Sequence, residues 1–424
     1  MTAPPRVADV PAGTAAGVRR DRLTPALGLA GQVLNAATNA ATAYTASFLL
    51  RPAAFGTFAV ALGVVTVVLA TGRGLIGTTV LAQLPAVDDD RRPVLVRSVI
   101  GFALPAAVAA AGLVLAASTV VDGLVWFVPW VAAALLQDLG RYLLLAERRP
   151  GAALGLDVVW ALAQAAVLVA VVVTGSVLTV GVLAAAWGVG AVAGLAVFVA
   201  GPGRGLRPGR PGPWARTTRD VAGWFTASSV LGQVEVYAVV LLTGVLLGQA
   251  EAGGLRTVQL MTLQPAMVLL GAVVVLAVPG VARRHADGDP AALRAGWRRV
   301  GTAVLPIVAG LALVAALAGP LVALLFPQYP DAAGLVLPVA VQAGAFALTV
   351  PSMALLAGTR RAATAFALNA GRLVLVLALA VTGALAAGAD GLVVGQAAAA
   401  VAGLVATTVV ARAVLRGVPR GAAA

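Results

Sequence analysis

A small set of polar side chains stands inside otherwise apolar stretches, and these residues are the ones able to do chemistry. Glu235, Arg73, Arg256 and Arg372 are ionisable, and Asn369 precedes Arg372 by three residues. A charge at mid-bilayer costs roughly 2.5–3.5 kcal/mol on insertion scales, so each ionisable group is expected to face a cavity or a partner. Glu235 lies about fifteen residues into its stretch, or roughly 22 Å along a helix. It reads as a proton- or cation-coupling carboxylate, as the partner of a cavity arginine, or as half of an ion pair holding two parts of the chain together. Arg372 is about ten residues into its own stretch, roughly 15 Å from the nearer end, with helix-end carbonyls or Asp157 as alternative partners to a cavity. Asp138 and Arg141, at i and i+3, are expected to neutralise each other. Gln32, Asn35 and Asn39 recur at i, i+3 and i+7, which puts three amides on one helix face. That stripe reads as a hydrophilic cavity wall or as interhelical hydrogen bonding.

Other chemistries are excluded by what the chain lacks. With no cysteine there is no disulfide, thiolate metal site or thiol nucleophile. The one histidine, His285, lies in a basic Pro/Gly-punctuated stretch and is read as a solvated loop residue, so neither a histidine metal cluster nor a Ser-His-Asp triad is available. No lysine occurs, so a Walker-type phosphate loop is impossible. No metal and no cofactor is expected, and the chain is expected not to be an enzyme.

The elements that must position these groups are membrane spans. The chain is 61% hydrophobic and only 11% charged, with a mean hydropathy of +0.99. A soluble domain carries about 25% charged residues, and only a bilayer solvates so much apolar surface. Stretches long enough to cross about 30 Å of hydrocarbon fall at 24–49, 55–83, 95–119, 123–146, 152–173 and 176–200, then at 220–248, 257–282, 298–325, 333–357, 362–387 and 391–415. The predicted fold class is therefore all-α and polytopic, with about twelve transmembrane helices.

The arginines alternate with the spans. Twenty-five of the 29 lie on one side, in the tails, in every second connection or in the span ends beside them (Arg141 one or two turns inside); Arg51 and Arg256 lie on the opposite connections, and Arg73 and Arg372 deeper inside spans. The positive-inside rule puts the arginine-rich side, and both termini, in the cytoplasm. This accounts for the net charge of +13 without nucleic acid, and a basic cytoplasmic face attracts anionic membrane lipids. The N-terminal segment is not read as a cleavable signal peptide, because the first span is full length. Residues 201–219, rich in Gly, Pro and Arg, divide the spans six and six. The organisation is thus a cytoplasmic tail at 1–23, a six-helix bundle at 24–200, a cytoplasmic linker at 201–219, a second bundle at 220–416 and a tail at 417–424. An even number of spans per half gives both halves one orientation, with a pseudo-two-fold axis along the membrane normal and substrate between them. A weak internal echo fits: Leu49-Leu50 and Gly56 recur as Leu246-Leu247 and Gly253.

The run Phe48-Leu49-Leu50-Arg51-Pro52-Ala53-Ala54-Phe55-Gly56-Thr57-Phe58-Ala59 resembles the helix 1–2 junction of Wzx-type oligosaccharide flippases, with Arg51 in place of the usual glycine. Gly74, Gly77 and Leu81, the Gly248–Gly253 turn, Pro265 and Pro279-Gly280-Val281-Ala282-Arg283 continue the likeness over about residues 24–415. The resemblance implies a MATE-like fold of the multidrug/oligosaccharidyl-lipid/polysaccharide exporter superfamily, with helices 1, 2, 7 and 8 lining a central cavity. Arg73 and Arg256 would then meet the pyrophosphate of a lipid carrier, since guanidinium suits phosphate bidentately. The alternatives are that Arg73 snorkels to the interface and that Arg256 is a rim charge beside Glu251.

The function so implied is a flippase of the bacterial cytoplasmic membrane. It would carry a polyprenyl-pyrophosphate-linked oligosaccharide to the outer leaflet for cell-surface polysaccharide biosynthesis (lipopolysaccharide among them), by alternating access and with Glu235 as the ion-coupling candidate. A polysaccharide polymerase or glycosyltransferases would be partners. Two rivals stand beside it: a MATE-like cation-coupled drug exporter, which wants a carboxylate-rich cavity, and a non-transporting scaffold for glycosyltransferases. Short external connections, roughly 2–9 residues on the ±4-residue boundaries of such a reading, leave no room for an external catalytic domain.

Overall fold

The computed structural model describes residues 27–417, apart from residues 28, 29, 32, 33, 35, 36, 85, 86, 148, 287, 288 and 360. The tail at 1–23 and the two candidates Gln32 and Asn35 lie outside the described residues. Every regular element among the described residues is helical. The first half contains α1 (residues 37–49), α2 (Pro52–Gly72), α3 (Thr79–Gln83), α4 (Arg92–Ala117), α5 (Val128–Ala146), α6 (Pro150–Val173) and α7 (Val180–Ala200). The second contains α8 (Gly212–Leu246), α9 (Gln249–Met261), α10 (Leu263–Ala286), α11 (Pro290–Ala316), α12 (Ala318–Leu325), α13 (Ala333–Gly358) and α14 (Ala362–Gly417).

These elements combine into twelve spans. Residues Arg73–Thr78 form a π-helical turn that joins α2 to α3. The helix breaks at Thr262 between α9 and α10, and α14 turns back on itself at Ala387 and Gly388, whose φ of 61° suits a residue without a side chain. Among the described residues, eight helices, α14 among them, are long and apolar enough to cross a membrane. Val108, Leu113, Leu324 and Leu385 stand exposed on the outer surface, where lipid tails, not water, are their natural solvent. The chain is a multi-pass membrane protein.

Local sequence explains the helix starts. Proline in the first turn opens α2, α4, α5, α6, α8 and α11, where its missing N–H costs nothing and its φ is preset. Asp289 caps α11 by accepting from the amides of Ala291 and Ala292 at 2.8 and 3.0 Å. Glycine sets the closest packing: a Cβ at Gly383 would stand 2.1 Å from the Gly391 carbonyl oxygen across the last hairpin, the small-residue contact that drives helix association in lipid.

Three boundaries differ from the sequence reading. α8 begins at Gly212, inside the stretch read as linker, because Pro213 and the following polar residues continue a helix beyond its apolar part. The remaining linker is tied down: the amide of Gly209 donates to the Arg97 carbonyl (2.7 Å), Ser98 Oγ donates to the Arg210 carbonyl (2.7 Å), and the amide of Trp214 donates to Ser98 Oγ (2.9 Å). α9 begins at Gln249, where the sequence reading starts a span only at 257; Gly253, Gly254 and Arg256 lower its hydropathy without breaking the helix. His285 is a half-buried residue in the last turn of α10, not a solvated loop residue, because the helix runs on through its basic end to Ala286.

Candidate functional site

A cavity of about 170 Å³ lies between the two halves. The first half contributes Thr38 and Asn39 from α1, Thr66 from α2, Arg73 from the π-helical turn, Asp138 from α5, Asp157 and Trp160 from α6, and Trp187 from α7. The second half contributes Tyr237 from α8, Arg256 from α9 and Gln264 from α10. Spans 1, 2, 7 and 8 therefore all reach it, with spans 4, 5 and 6 forming its back wall.

The charges on the cavity wall resolve into a connected set and one remainder. Arg73 Nε donates to Asp138 Oδ2 in a close ion pair. Behind it Arg141, buried, donates from Nε to Asp157 Oδ2 at 3.0 Å and holds Nη1 3.7 Å from Asp138 Oδ1. Two arginines and two aspartates cancel. Arg256 is the remainder. Its residue is 4% exposed, and no carboxylate lies within ion-pair distance of it among the described residues. Nη1 donates to Gln259 Oε1 at 3.1 Å, and Nη2 reaches the Tyr237 hydroxyl at 3.5 Å. The guanidinium carbon stands 5.1 Å from the centroid of the Tyr237 ring, a cation–π arrangement. The cavity therefore holds one uncompensated positive charge at low dielectric, where an anion binds most strongly.

Local structure aims these groups. The π-helical turn widens the helix where Gly74 presses on the α8 backbone and Gly77 on the Tyr142 ring; a Cβ at either would meet Thr226 Cα at 2.4 Å or Tyr142 Cδ2 at 2.6 Å. Thr79 Oγ1 donates to the Gly74 carbonyl at 2.9 Å across the turn. Such single π turns concentrate at functional positions, and here the turn opens on Arg73. Trp160 and Trp187 meet edge to face with centroids 5.6 Å apart, leaving aromatic surface beside the polar groups.

The arginine-poor end above the cavity is closed. The Tyr44 hydroxyl donates to the Leu260 carbonyl at 3.1 Å, and Gln328 Nε2 donates to the Phe48 carbonyl at 2.6 Å. Tyr44 and Phe48 stack on Phe326 at 5.7 and 5.8 Å. Each of these contacts joins the first half to the second.

No protein-family model matches the sequence, and no curated protein matches it significantly. Solved structures do. The chain is similar to the inward-facing conformation of a multidrug resistance MATE family transporter of the MOP superfamily, with a TM-score of 0.74 and 13% identity over 92% of this chain and 96% of that one. It is similar to the lipid II flippase MurJ in an inward closed conformation, with a TM-score of 0.70 and 10% identity over 94% of this chain and 88% of that one. A MOP superfamily transporter from Pyrococcus furiosus, described as having a binding pocket of reversed polarity, gives 0.67 and 13% over 94% and 96%. The fold is MATE-like.

Within the MATE-like fold the sequence candidates divide. Asn39, Arg73 and Arg256 line the cavity. Glu235, Asn369 and Arg372 do not; they lie within the second bundle. Arg372 donates from Nε and Nη2 to the two oxygens of Glu235 at 2.8 and 2.7 Å, and its guanidinium carbon stands 4.7 Å from the Phe346 ring centroid. The pair does not bridge the halves, and Arg372 bonds neither Asp157 nor a helix-end carbonyl. Both carboxylate oxygens of Glu235 are held by its arginine. Arg256 is not a rim charge beside Glu251, because α9 starts early enough to carry it about 10 Å into the helix at 1.5 Å per residue. Asp138 and Arg141 are not a closed pair, since each has a closer partner. The sequence reading missed Asp138 and Asp157 as cavity residues, and the aromatic wall of Trp160, Trp187 and Tyr237. The i, i+3 pairing of Asp138 with Arg141 hid the first, and an aromatic in an apolar helix gives no signal of which face it occupies.

Proposed function

We propose that this chain is a flippase for a lipid-linked oligosaccharide with an anionic phosphate or pyrophosphate headgroup. The observation that carries the reading is Arg256, a buried guanidinium without a carboxylate partner among the described residues, facing a cavity shared by both halves. A drug exporter selecting cations would place an unpaired carboxylate there. The polar wall of Thr38, Asn39, Thr66 and Gln264 suits sugar hydroxyls, and Trp160 and Trp187 suit the apolar faces of sugar rings. The headgroup enters from the cytoplasmic leaflet while the polyprenyl tail stays in lipid. The closed external seam of Tyr44, Phe48, Phe326 and Gln328 then parts as the bundles rock, and the headgroup leaves on the other side. This reading puts the protein in the bacterial cytoplasmic membrane with both termini inside, and in cell-surface polysaccharide assembly beside glycosyltransferases or a polymerase. Arg372 holds both oxygens of Glu235, so this reading takes Glu235 as a structural residue and the membrane potential, rather than an ion gradient coupled through Glu235, as the driving force for an anion.

The test is mass spectrometry of lipid-linked glycans in the source bacterium with and without the gene. One polyprenyl-linked oligosaccharide should accumulate without it, still facing the cytoplasm in sealed vesicles. An unchanged lipid-linked pool with unchanged surface polysaccharide would remove the reading.

A further inference from the structure

We infer that Arg73 is a switched anion ligand, held in reserve by Asp138 and released to the headgroup because Arg141 stands ready to take its place. The inference rests on the proposed anionic substrate and assigns roles to three residues of its site. Arg73 is anchored at one end of the charge set, on the cavity side, with its side chain 32% exposed; Asp138 and Arg141 are 9% and 6% exposed. Arg141 is already committed to Asp157 through Nε, and its Nη1 points at the Asp138 oxygen that Arg73 does not use, 3.7 Å away. Closing that gap to a normal charge-assisted hydrogen bond takes a movement of about 1 Å. Arg73 can then leave Asp138 without stranding a buried carboxylate, which is the step that would otherwise forbid its release.

The consequence is a site whose charge rises on binding. With Arg73 closed on Asp138 the cavity presents Arg256 alone. An incoming phosphate group draws Arg73 across, Arg141 neutralises Asp138, and two guanidiniums hold the anion. Asp138 is thus a positioning residue that competes with substrate. Its competition also supplies a release device, because re-closure of the Arg73–Asp138 pair expels the headgroup once the far side opens.

The test is equilibrium binding of inorganic pyrophosphate to the purified full chain in detergent, by calorimetry. Wild type should bind and R256Q should bind at least about tenfold more weakly; absence of binding in both sinks the anion-site reading itself. D138N frees Arg73 and should bind about tenfold more tightly than wild type, and R73Q/D138N should lose that gain. A merely structural Asp138 predicts the opposite, so D138N binding at or below the wild-type affinity overturns the switch while leaving the reading intact. R141Q/D157N removes the reserve cation with its buried partner and keeps the charge balanced. It should weaken binding several-fold, and unchanged affinity there overturns the inference even if D138N does not fold.

Discussion

Gly56 and Gly253 are each pressed against the turn that begins the other's helix. A Cβ at Gly56 would stand 1.6 Å from the Gln249 carbonyl oxygen, and one at Gly253 would stand 2.8 Å from that of Pro52. The four positions exchange under a shift of 197 residues, 52 to 249 and 56 to 253. Residue i meets j' while i' meets j, which is the contact pattern of a two-fold axis. The two halves therefore meet at the arginine-poor end through their own repeated junctions.

That seam is expected to be the gate. The chain has no cysteine, so T66C introduces a single thiol on the cavity wall. In G56L/T66C a membrane-impermeant thiol reagent applied from the arginine-poor side should react at least about tenfold faster than in T66C, the shift expected when a few kcal/mol of overpacking forces the closed state open. Equal labelling rates would show that the glycine contact does not seal the cavity.

Arg256→Gln separates function from stability. The cation–π contact with Tyr237 contributes about 1–2 kcal/mol, whereas desolvating an unpaired charge costs several kcal/mol. The variant should therefore unfold at the same temperature as wild type or a higher one, while flipping falls sharply. Thermal unfolding in detergent together with a flipping assay decides this; a clear loss of stability would mark Arg256 as structural.

Glu235→Gln should do the reverse. It strands the Arg372 guanidinium inside the second bundle, at a cost of about 3–5 kcal/mol. Replacing both residues, as in E235L/R372M, should restore most of the stability and leave transport measurable. If E235Q instead melts normally but loses transport, Glu235 is a coupling residue after all.

Ser98→Ala should free the linker. It removes one acceptor and one donor that hold the Arg210 carbonyl and the Trp214 amide, about 1 kcal/mol each. Trypsin should then cut after Arg204 faster in S98A than in the parent, since Arg207 and Arg210 precede prolines and resist cleavage. The cleavage rate at Arg204 is the readout, and no acceleration would mean that the linker is held by other contacts.

Part of this protein was legible before any fold was known. A bilayer demands about twenty apolar residues per crossing, and that demand alone marks the spans, their pairing into two sets of six, and the alternation of arginines along them. That Arg73 and Asn39 fall inside apolar stretches is also read from the sequence alone. The reading failed at Arg256, where two glycines disguised the start of α9, and no window of hydropathy distinguishes a polar helix from a polar turn.

Which charges meet was decided by tertiary structure alone. Arg73 lies 65 residues from Asp138, and Arg372 lies 137 residues from Glu235; helix periodicity relates only residues three or four apart. From the sequence, Asp138 belongs to Arg141, and Glu235 stands open between a cavity and an ion pair. In the fold, packing places each carboxylate beside a different arginine, and one guanidinium is left over. The sequence determined how many charges enter the membrane, because insertion energetics act on each helix separately. Only the arrangement of helices determined that Arg256 faces the cavity without a carboxylate partner among the described residues, because compensation is a property of neighbours in space.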